Sequence, residues 1–105
     1  MALAGTGRPV VLIKGAPWAV GLWMQIEGPS PPEFVWVIAT YECVEDLDHP
    51  GEIADASNAT EIAERNRVML EKVASAKFDE KGLDSEDETH EGKPVLRLHS
   101  YDLPG

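Results

Sequence analysis

The sequence predicts an α+β domain: a mainly antiparallel sheet of three to four strands, one long amphipathic helix packed on one face, and a short helix after the third strand. Three observations carry this. Residues 58–78 lack proline and glycine and are rich in Ala, Glu, Lys, Arg and Leu, which lose little on entering a helix. Residues 18–27 place Trp18, Val20, Leu22, Met24 and Ile26 at every second position, the period of a strand with one buried face. Residues 94–100 alternate again, with Leu96 and Leu98 inward and Arg97 and His99 outward or at an edge. At 105 residues the chain makes one domain with a modest core.

Taken in order, residues 1–8 read as a loose N-terminus. Residues 9–13 form a short β-branched run before Lys14-Gly15-Ala16-Pro17, hence strand then turn. After the strand at 18–27, Gly28-Pro29-Ser30-Pro31-Pro32 makes a rigid connection. Residues 34–39 are apolar on both faces, which suits a central strand. Thr40 has the chemistry of an N-cap, and Cys43, Val44 and Leu47 share a face at i, i+1, i+4, so one or two helical turns follow. Asp48-His49-Pro50-Gly51 ends them, because the residue before a proline is pushed out of the α region.

The long helix begins near Asn58, with Glu61 at the spacing of a capping box and Ser57 and Thr60 competing for the capping role. Its apolar stripe holds Ile62, Met69, Leu70, Val73 and Ala76, with Glu64, Arg67, Glu71 and Ser75 opposite. Gly82 stops it, and residues 79–93 read as an acidic mobile loop. The tail from Tyr101 offers a Tyr and a Leu for docking.

The formal net charge is −10, and it is unevenly spread. In residues 1–40, Arg8 and Lys14 balance Glu27 and Glu33, so the excess lies wholly in residues 41–105. Such a balance argues against nucleic acid, whose affinity comes from cationic contacts to phosphate, and against anionic membrane surfaces. The lone Cys43 excludes an intramolecular disulfide and a multi-cysteine zinc site. The N-terminus lacks a signal-peptide pattern and no apolar run reaches the roughly 20 residues of a membrane span, so a cytoplasmic protein is expected.

Chemistry-bearing residues are few. His49, His90, His99 and Cys43 lack ligand or catalytic spacing, so no catalytic residue, metal or cofactor is assigned and an enzyme is not expected. Residues 84–91 are acidic but lack the alternation and glycine of a calcium loop. Asn66 sits within the apolar stripe, where an amide either binds a ligand, fixes the next segment or satisfies backbone at a helix junction. Arg67 lies on the outer side, in reach of Glu64 and Glu71.

One helix covers one sheet face. The other presents Trp23 with either Phe34 and Trp36 or Val35 and Val37, depending on register. A face with Trp23, Trp36, Val35 and Val37 as its candidate residues points to a non-catalytic interaction or regulatory module that forms a homodimer through its sheet. The alternative is a small-molecule site between Trp23, Trp36 and the long helix.

The order of elements, with the stretches ATYECVEDL, ERNRVMLEKVASAKFD and PVLRLHSYDL, resembles a family of small bacterial proteins known only as a domain of unknown function (fourteen eighty-eight). The likeness spans roughly residues 18–103: a short helix after a sheet strand, the Asn66-Arg67 pair, an Ala-x-x-Lys-aromatic run and a closing strand ending in Asp-Leu. The resemblance implies a small α+β fold and no known activity.

Overall fold

The computed structural model describes residues 3–28, 30–47, 54–82 and 85–103, with 85–88 described by backbone only. Within them lie six strands: β1 (Leu3–Gly5), β2 (Val11–Ile13), β3 (Ala19–Ile26), β4 (Glu33–Thr40), β5 (Ser85–His90) and β6 (Lys93–Leu98). Three helices, α1 (Tyr41–Leu47), α2 (Ala59–Arg65) and α3 (Arg67–Lys81), separate β4 from β5. The class is α+β, as expected, but the sheet is larger and mixed. Its order is β1-β3-β4-β6-β5, with β2 also on β3. Every pairing is antiparallel except β4 with β6, which the chain reaches only after crossing one sheet face through the three helices.

β3 and β4 form the centre. Their register sets Val20, Leu22 and Met24 opposite Ala39, Val37 and Val35, and all six are fully buried. Leu96 and Leu98 extend this face through β6. The helices cover it: Cys43, Val44 and Leu47 of α1, Ala59, Ile62 and Ala63 of α2, and Leu70, Val73 and Ala74 of α3 join one core cluster with these strand residues. The α1 contacts are those its i, i+1, i+4 pattern predicts, and Thr40 Oγ1 accepts the Cys43 N–H at 3.4 Å.

Residues 3–8 are not loose. β1 and β2 lie end to end along β3, Leu3 opposite Ile26 and Val11 opposite Gly21. The chain between them is held by Thr6 Oγ1 donating to Trp23 O and by Val10 N–H donating to Glu64 Oε1. β2 falls within the strand expected over residues 9–13, whereas the three residues of β1 carry too little periodicity to be read from sequence.

The acidic stretch also departs from expectation. α3 runs to Lys81, where Gly82 at φ 70° ends it with its N–H on Phe78 O. β5 then pairs with β6 through a two-residue turn in which Glu91 (φ 52°) and Gly92 (φ 78°) are both left-handed, the geometry that suits a tight hairpin. Backbone pairing, not apolar burial, makes this strand.

The expected long helix is broken at Asn66, whose backbone (φ −109°, ψ 19°) ends α2 and starts α3. The buried stripe is Ala59, Ile62, Ala63, Leu70, Val73, Ala74 and Lys77. Met69 is 40% exposed and Ala76 is exposed, contrary to the sequence reading. At 100° per residue the true stripe is centred about 60° round from the expected one. The reason is Lys77, a cation on the buried side. The Asn58–Glu61 capping box is absent as well: Asn58 makes no side-chain cap bond, and its Oδ1 instead accepts Asp55 N–H.

Candidate functional site

Because all three helices cover one face, the other face of the sheet is the candidate site. The register that buries Val35 and Val37 under the helices turns Phe34, Trp36 and Ile38 of β4 to this side, beside Gly21, Trp23 and Gln25 of β3. Val35 and Val37 are therefore removed from the candidate surface, while Trp23 and Trp36 remain on it.

Trp36 is only 4% exposed, although no helix covers it. Gly21 leaves room for its ring, since a Cβ there would overlap the indole carbons. His90 of β5 stacks over it, with centroids 4.5 Å apart and planes at 16°. Trp23 packs beside both rings, 4.8 Å from Trp36 and 5.8 Å from His90. His90 thus belongs to the aromatic cluster. Its strand lies in a segment without apolar pattern, so no sequence signal pointed to this role.

The ring of Trp36 leans towards Gly21, away from Phe34, and the space beside Phe34 stays open. A cleft of about 270 Å³ lies there, lined by Arg8, Trp23, Pro32, Phe34, Glu91 and Lys93. The Arg8 guanidinium sits 5.6 Å from the Phe34 ring centroid, a cation–π distance. The cleft does not lie between the tryptophans and the long helix, as expected, because the sheet itself separates them. At the far end of the face a second cleft of about 210 Å³ is bordered by Trp18, Ile38, Tyr41, Arg97 and His99.

Polar residues on the helix side have structural partners. Asn66 Nδ2 donates to Ile62 O at 2.9 Å, so the amide satisfies backbone at the α2–α3 break. Arg67 pairs with both Glu64 and Glu71 at 3.1 Å, and its side chain is 16% exposed, less solvated than its position suggested. Ser75 Oγ accepts Leu3 N–H, which binds β1 to α3. Lys77 Nζ donates to Arg97 O at 2.6 Å and to Asp102 Oδ2 at 3.1 Å. Burial works against the charge on Asp102, but the His99 N–H and the Lys77 ammonium outweigh it and hold the carboxyl below its ordinary value.

The same corner contains Cys43. Burial pushes its thiol up to about 12, with Asp102 and Asp46 adding to the rise and Lys77 opposing it. It is neutral at neutral pH, the wrong state for a nucleophile or ligand. Among the described residues no group of three or more His, Cys, Asp and Glu is placed to hold a metal, and no helix is long and apolar enough to cross a membrane. His49 and most of the acidic 84–91 cluster lie outside the described residues or have no described side chains. His99 stacks on the 75%-exposed Tyr101, whereas Leu103 packs against the core.

No family model matches the chain, and neither a curated protein nor a solved structure matches it.

Proposed function

We propose that this chain is a non-catalytic interaction module that self-associates through the sheet face its helices leave uncovered. The observation that carries the reading is the one-sided placement of α1, α2 and α3, with Trp23, Phe34, Ile38 and Ile13 left half-buried and Val11 48% exposed on the opposite face. β3 and β4 are about 27 Å long, and β5, β6 and the end-to-end pair of β1 and β2 about 20 Å each, so five tracks about 4.8 Å wide give that face roughly 500 Å². Two such faces meeting bury about 1,000 Å², the lower bound for a specific interface. A bacterial, cytoplasmic protein of the family resembled over residues 18–103 belongs to the same proposal.

Light scattering across a wide concentration range tests it. A dimer that Trp23→Ala returns to monomer supports the reading; a monomer at every concentration overturns it. The cleft beside Phe34 favours a second reading, a small-molecule site, which survives that result because it requires only one chain.

A further inference from the structure

We propose that the cleft formed by Arg8, Trp23, Phe34 and Lys93 binds a small planar aromatic anion. This inference rests on the small-molecule reading and gives its ligand a chemical class. Two half-buried rings supply the apolar wall. Trp23 on β3 and Phe34 on β4 are diagonal neighbours, because Trp23 faces Trp36 and Phe34 lies two residues before it. Both rings line the cleft, Phe34 with the Arg8 guanidinium 5.6 Å from its centroid, while the Trp36 indole is drawn over Gly21 and stacked with His90.

Two cations meet at this wall from opposite directions. Arg8 reaches it from the segment between β1 and β2, and Lys93 from the start of β6. Among the described residues no carboxylate pairs with either of them. That is informative in a chain with 19 acids to nine bases, where a cation has many carboxylates to choose from. Glu91 is the one carboxylate on the rim, and its Oε2 lies 3.8 Å from His90 Nε2.

A ring stacked on Trp23 and an acidic group between Arg8 and Lys93 answer both features. The Arg8 fork suits a carboxylate or a phosphate. The size of the cleft, just below the usual 300 Å³ minimum for ligand pockets, restricts the ligand to about one ring system and its acidic group.

The test uses the whole chain and three probes: 1-naphthoate, the uncharged 1-naphthamide, and cyclohexanecarboxylate, which has the charge without the aromatic ring. The readout is the indole N–H signal of Trp23 in nitrogen-15 correlation spectra, identified by its loss in Trp23→Phe. Naphthoate is expected to shift this signal saturably with a Kd below about 1 mM, and each control to bind at least about tenfold more weakly. Arg8→Gln/Lys93→Gln, with both positions at the surface, is expected to retain the wild-type Tm and to weaken naphthoate at least about tenfold.

The proposal is overturned if naphthoate gives no saturable shift by about 5 mM, if naphthamide binds equally well, or if the double variant binds as wild type does. It is also overturned if only the signals of Trp18 or Trp36 move. Light scattering on the same samples keeps the readings apart. A dimer without naphthoate binding defeats this inference alone, and naphthoate binding by a monomer defeats only the self-association.

Discussion

Removing the charge from Asp102 is expected to unlock the joint between α3 and the C-terminal segment. The Lys77 and Asp102 side chains are only 7% and 9% exposed, and their charged atoms are 3.1 Å apart. Breaking a fully buried pair from one side costs about 3–5 kcal/mol, because the remaining charge stays out of water. In Asp102→Asn, Lys77 keeps the Arg97 carbonyl at 2.6 Å, which lowers the expectation to about 2–3 kcal/mol. Lys77→Met leaves Asp102 with the His99 N–H at 2.9 Å and costs about 2 kcal/mol. The double variant contains no stranded charge, so it should cost less than the sum, with a coupling of about 1–2 kcal/mol. For a domain of this size, a loss of 2–3 kcal/mol lowers Tm by roughly 10–20 °C. Urea unfolding of the four proteins at pH 7 measures the cycle. A coupling below about 0.5 kcal/mol, the value of a solvated surface pair, would refute the argument. The pH dependence adds a second check. The folded Asp102 carboxyl is depressed below the unfolded value of 3.8, so its contribution is full above that value and is lost as pH falls through the folded one. Wild type should therefore lose more stability than Asp102→Asn below about pH 4.

Two glycines give opposite expectations for one substitution. A Cβ at Gly21 meets the Trp36 ring, which His90 and Trp23 hold in place, so Gly21→Ala should cost about 2–3 kcal/mol and shift tryptophan emission to longer wavelength. A Cβ at Gly5 meets only the carboxylate end of Glu71, a flexible group, so Gly5→Ala should cost under about 1 kcal/mol; equal losses in urea unfolding would refute the distinction. The third expectation is alkaline. Cys43 is raised from 9.0 to about 12 in the folded state, so its contribution is full below about pH 9 and is lost as pH rises towards 12. Wild type should lose about 1.4 kcal/mol per pH unit above 9 relative to Cys43→Ala, and parallel stability–pH curves would show that the thiol is not protected.

What was legible in the sequence follows the strength of each local signal. β3, α1 and β6 repeat apolar residues at the period of their structure, β4 is a continuous apolar run, and each lies where its pattern put it. β5 has no such pattern: its side of the hairpin is set by the Glu91-Gly92 turn and by pairing with β6. A Gly followed by a strand-like run was the one available cue, and the surrounding acids obscured it. The helix face was misplaced because hydrophobicity counts Lys77 as a surface residue. Its ammonium is buried with the Arg97 carbonyl and the Asp102 carboxylate, both distant in sequence, among its partners. At the candidate site, Trp23 and Trp36 were legible as a pair of sheet tryptophans. The choice between Trp36 and Val37 for the open face depended on register, which a one-residue shift inverts.

The two faces of this sheet divide stability from binding. On the helix side, the polar groups Asn66, Ser75, Lys77 and Asp102 are each bonded to backbone or to one another; Asn66 closes the α2–α3 break, and the others hold elements distant in sequence together. On the other side, Arg8 and Lys93 are exposed at the rim of an aromatic cleft, with Arg8 reaching β4 through its cation–π approach to Phe34. Trp36 connects the two roles: its ring completes the sheet's outer packing over Gly21, and its displacement in that direction opens the space beside Phe34. Gly21 is therefore a positioning residue for the cleft as well as a packing residue. A methyl group there meets the indole and is expected to displace it, so the damage at Gly21→Ala reaches the cleft without any change to Arg8, Phe34 or Lys93.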